Sequence, residues 1–249
     1  KFEATLDRNI LFDGSEIVQI IRDPTQYGFG PNSGGSGFEW RLPFTLNQQA
    51  ATRFSRLAFH QCTLSDFSLQ QQNQYACKKT YFFIDRPDNG VLIIPKKTFD
   101  DDSSLFSTGA GTEISAGSSM TELLENANIP YFVVSGDDLN ESELAQIKAL
   151  SKELAVVPPS LSQKSKASIK SIGLIVKEIE PEKGHPWLWT ATGAKTTISL
   201  TPGVANLEPL VNDPADARIF YDLFITGQAD TAEQAQQRLQ ELDIILKTG

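Results

Sequence analysis

The chain has 249 residues, 40% of them hydrophobic, which is enough to form the core of one large domain or of two modest ones. Its formal net charge of −9 argues against binding to a nucleic-acid backbone or to an anionic lipid surface, since both need a positive patch. No run of residues approaches the roughly 18–20 apolar positions that would span a bilayer.

The first part of the chain predicts β-strands joined by turns. Lys1–Asp13 and Glu16–Arg22 are expected strands with a Gly-Ser turn between them. The glycine-rich Tyr27–Gly37 is expected to be a flexible connector, with an engineered linker as the alternative. A phosphate-binding loop would be followed by a helix, whereas Phe38–Phe44 has the character of a strand.

A helix is predicted after this strand. Thr45 or Asn47 is expected to cap its first turn, because the first backbone N–H groups of a helix need acceptors. Apolar residues then recur at helical spacing and predict one buried face: Ala50, Ala51, Phe54, Leu57 and Ala58.

The next segment predicts a β-hairpin and a loop. The apolar runs Tyr81–Ile84 and Val91–Ile94 flank Asn89-Gly90, a pair that tolerates the positive φ angles of a tight hairpin turn. Asp100–Ser119 has few apolar residues and no periodicity, so we expect a loop there.

A small α/β unit is expected at about residues 120–180. Tyr131–Val134 and Leu154–Val157 are predicted strands, and Leu139–Glu153 between them is a predicted helix, which indicates parallel pairing. Ser160–Ser168 follows as an expected polar loop, and Ser171–Ile179 as a further strand.

The last part of the chain contains two tryptophans and a strand–helix segment. In a strand, Trp187 and Trp189 would share one face, as a binding platform or, as we favour, as an anchor in the core. Arg218–Thr226 is a predicted strand and Thr231–Leu246 a predicted helix. The expected fold class is therefore α+β, with mixed sheets and packed helices.

Few residues are candidates for chemistry. Cys62 and Cys77 either form a disulfide, which suits an oxidising compartment, or are two unrelated thiols. With His60 and His185 as the only histidines, neither a metal site nor a Cys–His nucleophile is predicted. We expect no cofactor and no enzyme activity. Asn140-Glu141-Ser142 matches an N-glycosylation sequence, although Asn140 would also cap a helix.

Six segments, in one order along the chain, resemble a known family. They include Phe-Thr-Leu before a helix, Asp-Arg-Pro at the end of a strand, and Ile-Thr-Gly before the last helix. The segments are Lys1–Ala4, Phe44–Phe54, Tyr81–Pro87, Trp187–Lys195 with Ser199–Val204, Ile225–Ala235 and Leu246–Gly249.

Together these segments resemble the first large extracytoplasmic domain of archaeal-type SecD, a membrane protein of Sec-dependent export. The Gly-Leu-Asp-Leu-x-Gly-Gly motif that opens the family's loop is missing, so we expect a fragment without its membrane helices. The resemblance implies a head region at residues 1–215. Residues 216–249 would be the strand–helix part of an incomplete ferredoxin-like base.

The resemblance also implies a function. The full-length protein would lie in the cell membrane beside SecF and the Sec channel, with this fragment on the extracytoplasmic side. It would transiently hold an unfolded secretory preprotein during export driven by the proton gradient. Candidate contacts for the preprotein are Gly35, Phe38 and Trp187. The alternative is a secreted or cell-surface module that binds a small ligand around Tyr131–Val157, at the carboxyl ends of its strands.

Overall fold

A computed structural model describes residues 1–32, 36–64, 75–108, 119–136, 138–205 and 213–247. The chain forms two compact units, which we call unit 1 and unit 2. Unit 1 comprises Lys1–Thr80 together with Ile198–Gly249, and unit 2 comprises Tyr81–Thr197. In sequence, unit 2 therefore interrupts unit 1.

The strands and helices follow in chain order. Those before residue 85 are β1 (Phe2–Leu6), β2 (Asn9–Asp13), β3 (Ile17–Ile20), β4 (Gly28–Pro31), β5 (Phe38–Leu46), α1 (Gln48–Ala58), β6 (Cys62–Leu64), β7 (Tyr75–Cys77) and β8 (Lys79–Ile84). Those after it are β9 (Gly90–Pro95), α2 (Lys96–Thr108), α3 (Met120–Ala127), β10 (Tyr131–Val134), α4 (Glu141–Ala149), β11 (Leu154–Val157), α5 (Gln163–Ser171), β12 (Ile175–Glu178), α6 (Trp187–Thr192), β13 (Ala194–Ser199), β14 (Asp222–Ala229) and α7 (Ala232–Lys247). Antiparallel and parallel sheets occur together, which confirms the predicted α+β class.

The main sheet of unit 1 is antiparallel, in the order β14-β5-β3, and β4 also pairs with β5. Its core side chains come from alternate positions of β5, since successive strand residues point to opposite faces: Trp40, Leu42, Phe44 and Leu46 are buried. The helices α1 and α7 both pack on this sheet. Of the two predicted capping residues, Thr45 and Asn47, it is Asn47 that caps α1, and its side chain accepts a hydrogen bond from the backbone N–H of Ala50 at 2.9 Å.

The predicted strand over Lys1–Asp13 is wrong, because the segment folds into a hairpin of β1 and β2. Asp7 and Arg8 form the turn, with φ angles of 48° and 68°. A turn of this kind normally uses Asn-Gly, so the Asp-Arg pair gave no signal in the sequence. In unit 1 this hairpin pairs β1 with β2 from Glu3 opposite Asp13 to Leu6 opposite Asn9.

A second hairpin in unit 1, β6 with β7, contains the two cysteines. Cys62 and Cys77 are register partners, and a disulfide joins them. The bond closes a loop with a sequence separation of 15 residues.

Unit 2 is built on a parallel sheet in the order β10-β9-β11-β12. The predicted hairpin of Tyr81–Ile84 with Val91–Ile94 is wrong, because β9 pairs with β10 and β11 and not with β8. Four consecutive residues of β9 are fully buried, Val91 to Ile94, which is typical of a strand covered on both faces. The α/β unit thus begins at β9, before residue 120.

Three further predictions are wrong in unit 2. The segment expected as a loop over Asp100–Ser119 lies in α2 up to Thr108, with residues 109–118 outside the described residues. The expected loop Ser160–Ser168 is largely α5. The expected strand through Trp187 is the short helix α6.

Candidate functional site

A cleft of about 470 Å³ lies at the carboxyl ends of the parallel strands of unit 2. Its lining comes from the end of β9, the first turns of α2, and the residues that follow β10 and β11: Pro95, Lys96, Lys97, Thr98, Asp101, Ser135, Gly136 and Ser160. In open α/β sheets, ligands bind at this edge, where neighbouring connections leave the sheet in opposite directions. We call this site the β9 cleft.

Hydroxyl groups of the β9 cleft face one another across its walls. The hydroxyl oxygens of Thr98 and Ser160 are 2.9 Å apart and form a hydrogen bond. Ser135 donates its hydroxyl to Glu143 at 2.7 Å and its backbone N–H to the same carboxylate oxygen at 3.0 Å. The hydroxyl groups are therefore held in place by other protein groups.

Glu143 is the buried residue that fixes the loop after β10. Its carboxylate also accepts the backbone N–H of Asn140 at 2.9 Å. Burial alone would raise the pKa of Glu143, but its hydrogen bonds from Asn140 and Ser135 outweigh burial and lower the pKa. Glu143 is therefore ionised at neutral pH and holds the wall of the cleft through charge-assisted hydrogen bonds.

The charges of the β9 cleft are two lysines and one aspartate. Lys97 pairs with Asp101 at 3.0 Å, and Lys96 pairs with Asp100, both one helical turn apart on α2. Because the first N–H groups of a helix have no acceptor within it, the first turn of α2 adds a positive potential. The cleft is suited to a small anionic or hydroxyl-bearing group.

A larger groove of about 800 Å³ lies in unit 1 between β2 and α1. Its wall is mainly polar side chains of α1, such as Gln48, Gln49 and Arg53. Arg53 already binds the carboxylate of Glu16 and the carbonyl oxygen of Leu11. One of its two arginines is thus used within the fold, and the groove does not lie at the carboxyl ends of parallel strands, so it is a weaker candidate than the β9 cleft.

The second surface of interest is the outer side of β14, which we call the β14 edge. Among the described residues, no strand pairs with this side. Leu46 donates its backbone N–H to the carbonyl oxygen of Tyr221, and Asp222 lies opposite Thr45 in the register. In an antiparallel ladder the pattern then alternates, so residues 222, 224, 226 and 228 direct their N–H and C=O groups outward.

The β14 edge is long, nearly uncharged and partly aromatic. β14 has eight residues, and Asp222 is its only charged residue. Phe224 is 58% exposed, and the Arg41 guanidinium lies 5.2 Å from the centre of its ring. Exposed strands of this kind usually carry lysines or prolines that block pairing with another chain.

The predicted preprotein contacts do not come together in one place. Gly35 lies outside the described residues. Phe38 is half-buried at the start of β5, where it lies opposite Ala229 of β14 and Pro31 of β4.

Trp187 is only 3% exposed, so it is a core residue and not part of an open platform. Its indole N–H donates to the carbonyl oxygen of Ile179 at 2.8 Å. The backbone N–H groups of Trp187 and Leu188 donate to the two oxygens of Asp102, at 2.9 and 2.7 Å. Asp102 of α2 thus caps α6.

Two further features of the structure concern metal ligands and membrane-spanning helices. Within residues 1–32, 36–64, 75–108, 119–136, 138–205 and 213–247, no three His, Cys, Asp or Glu side chains are grouped as metal ligands would be. In the same ranges, no helix is long and apolar enough to cross a membrane.

Comparisons of this chain with protein-family models, with curated proteins and with solved structures find no match.

The small-ligand alternative predicted a site at the carboxyl ends of the strands around Tyr131–Val157, which includes Ser135 and Gly136, but sequence reasoning missed the rest of the lining of the β9 cleft. Its residues come from the ends of separate strands and from α2, which was expected to be a loop. Lys96 with Asp100 and Lys97 with Asp101 are spaced as oppositely charged pairs on a helix are, and this spacing was the available signal for α2.

Proposed function

We propose that this chain is an extracytoplasmic domain of an archaeal-type SecD protein, and that it holds unfolded polypeptide during export. The observation that carries the proposal is the order of the six resembling segments along the whole chain. The longer protein would then lie in the membrane with SecF and the Sec channel, and this domain would act by binding and not by catalysis.

Two of the resembling segments support the proposal by their position. The Phe44–Phe54 segment spans the end of β5 and most of α1, and the Ile225–Ala235 segment spans the end of β14 and the start of α7. These two strand–helix segments are far apart in sequence, yet β5 and β14 are antiparallel neighbours over eight residue pairs. Such a repeated strand–helix arrangement is what a ferredoxin-like base would contain, and in this proposal the base includes Phe44–Phe54 in addition to the expected residues 216–249.

The β14 edge is the surface that we assign to polypeptide binding. An extended chain can add to a sheet edge through backbone hydrogen bonds, which are available in any sequence. This independence from side chains suits a protein that must hold many different precursors. Phe224 and Tyr221 add exposed aromatic area, at 58% and 44%.

The first test is the flanking sequence of the gene. We expect a membrane-spanning helix shortly before residue 1 and another shortly after residue 249. A signal peptide before residue 1 followed by a stop codon after residue 249 would exclude the SecD proposal.

The second test is fluorescence anisotropy of a labelled secretory precursor with the purified chain. We expect the unfolded precursor to bind at tens of micromolar, roughly −6 kcal/mol, and the folded precursor not to bind. Phe224→Ser should weaken binding several-fold, by about 1 kcal/mol. Ile244→Ser is the matched control, because Ile244 is 60% exposed in the same unit but lies on α7. Equal effects of the two substitutions would rule out the β14 edge.

A second candidate function is a secreted or cell-surface module that binds a small ligand, and the β9 cleft is the observation that favours it. Its test is a thermal-shift screen of small phosphates, carboxylic acids and sugars. A ligand of this cleft should lose affinity in Lys97→Gln and Ser160→Ala, but not in Lys148→Gln on α4 of the same unit. A ligand that binds all variants equally would place its site elsewhere.

A further inference from the structure

The chain contains a single Asn-X-Ser/Thr sequence, Asn140-Glu141-Ser142, at the start of α4. We propose that Asn140 carries an N-linked glycan. In this reaction the side-chain nitrogen Nδ2 bonds to the first carbon of a sugar. The bond between that sugar and its lipid-phosphate carrier breaks, Nδ2 loses one proton, and the lipid phosphate leaves.

The local geometry leaves the reacting atom outside the capping interactions. Asn140 is the N-cap of α4, and its side-chain oxygen accepts the backbone N–H of Glu143 at 2.9 Å. The backbone N–H of Asn140 donates to the Glu143 carboxylate at 2.9 Å. The capping box therefore uses Oδ1 and the backbone of Asn140 but not Nδ2, so a sugar on Nδ2 keeps the cap intact.

The surroundings accommodate a glycan after folding. Asn140, Glu141 and Ser142 are all exposed, whereas Glu143, the next residue, is buried. A glycan on Asn140 would extend into solvent and would displace no core side chain.

The sequence is also accessible before folding. α4 has nine residues, and a helix of this length is marginal by itself in water. The emerging chain would thus present Asn140 to Ser142 in an unfolded form, as a transferase acting during export requires.

The disulfide is an independent indication of the compartment. Cys62 and Cys77 are the two cysteines of the chain, and they are joined. Stable disulfides are typical of exported proteins, and N-linked glycans are added to exported chains. This argument holds whether the chain binds unfolded polypeptide or a small ligand, so it does not depend on the proposed function.

The deciding experiment is mass spectrometry of the full-length protein isolated from its own cells. We expect the proteolytic peptide that contains Asn140 to carry the mass of an oligosaccharide, with fragment ions that locate it on Asn140. Finding this peptide only at its unmodified mass would overturn the proposal.

Three variants expressed in the same cells separate glycosylation from folding. Asn140→Asp keeps a capping oxygen but removes Nδ2, and Ser142→Ala removes the recognition residue but leaves Asn140 in place. Both should migrate faster than the unchanged protein on a denaturing gel, by the same amount, while Ser142→Thr should not. A shift in Asn140→Asp that is absent in Ser142→Ala would contradict the proposal.

Discussion

Unit 1 and unit 2 differ in how far apart in the sequence their paired strands lie. Unit 2 is one continuous segment whose parallel strands are joined by helices, so the strand pairs of this parallel sheet are closer in sequence than the β5–β14 pair of unit 1. Unit 1 consists of two segments separated by the whole of unit 2. Its central strand β5 pairs with β14, and the Arg22–Asp243 ion pair joins residues 221 positions apart.

Because of this difference, the two units should differ in which parts of the chain each needs in order to fold. All four strands of the parallel sheet of unit 2 lie within Tyr81–Thr197, so we expect unit 2 to fold as an independent domain. Unit 1 must close a very long loop before its sheet is complete, which costs conformational entropy. The following predictions test this contrast, from the largest expected effect to the smallest.

Cutting the chain at the unit boundaries should have the largest effect. A fragment of residues 81–197 should unfold cooperatively in urea, because it retains all four strands of the parallel sheet. A fragment of residues 1–80 should show no cooperative transition, because without β14 and α7 the apolar face of β5 is uncovered. Circular dichroism measures both. A folded 1–80 fragment, or an unfolded 81–197 fragment, would contradict the prediction that unit 2 folds independently and unit 1 does not.

Removing the disulfide should destabilise unit 1 alone. Replacing both Cys62 and Cys77 by Ala removes a loop closure over 15 residues and should lower the free energy of unfolding of unit 1 by about 3 kcal/mol. Hydrogen exchange followed by mass spectrometry reads the two units separately. Reduction of the unchanged protein should give the same loss of protection, and an equal loss in unit 2 would show that the units are not independent.

Asp102→Ala should destabilise unit 2 alone. It leaves the buried N–H groups of Trp187 and Leu188 without their acceptor, at a cost of about 2 to 3 kcal/mol. Asp101→Ala is the control, because Asp101 is exposed and makes only a surface ion pair worth less than about 1 kcal/mol. Urea unfolding of the 81–197 fragment compares the two. Similar costs would mean that Asp102 does not hold α6.

Gly227→Ala should strain unit 1. A Cβ at Gly227 would lie 2.3 Å from a ring carbon of Trp40, so the buried indole must move, at about 1 to 2 kcal/mol. Gly30→Ala on β4 is the matched control, because a Cβ there meets nothing within 4 Å. Hydrogen exchange should show lower protection in β5 and β14 for the first variant. No difference between the variants would disprove the close packing of Trp40 on Gly227.

The smallest effect concerns the pH dependence of unit 2. Burial raises the pKa of Asp102 above its ordinary 3.8, although the N–H groups of Leu188 and Trp187 oppose this shift. The folded state thus binds the proton more tightly. The resulting stability is present below pH 3.8 and is lost as the pH rises through the folded pKa.

Asp102→Asn removes this dependence, and it should therefore cost more stability in acid than at neutral pH. Urea unfolding of both proteins across this range gives the difference, in which the contributions of other acidic residues cancel. A cost that grows as the pH rises would mean that the two N–H hydrogen bonds outweigh burial.

The elements that the sequence predicted well carry their own local signals. The apolar face of α1 and its Asn47 cap lie within a few residues of each other, and the same holds for β14 with α7. The strands β10 and β11 are short apolar runs. Helical periodicity, capping residues and short apolar runs can be recognised in the sequence without knowledge of any tertiary contact.

The missed elements depend on distant partners. α2 contains three consecutive aspartates, which do not indicate a buried helix. Asp102 is buried because it accepts backbone N–H groups of α6, some 85 residues later in the chain. Asn89-Gly90 signals a hairpin locally, but the burial of β9 between β10 and β11 decides its pairing. The β9 cleft is assembled from several strand ends, so no single segment of sequence displays it.

The late arrival of β14 has a consequence for the timing of synthesis. After Leu46 has been made, the ribosome must add residues up to Ala229 before β5 can gain its neighbour on that side. At about 5–20 residues per second this takes roughly 10 to 40 s. During that interval the side of β5 that pairs with β14 is open and α7 is not yet present to cover the sheet. We therefore expect the growing chain to be a substrate for the chaperones that bind unfinished proteins.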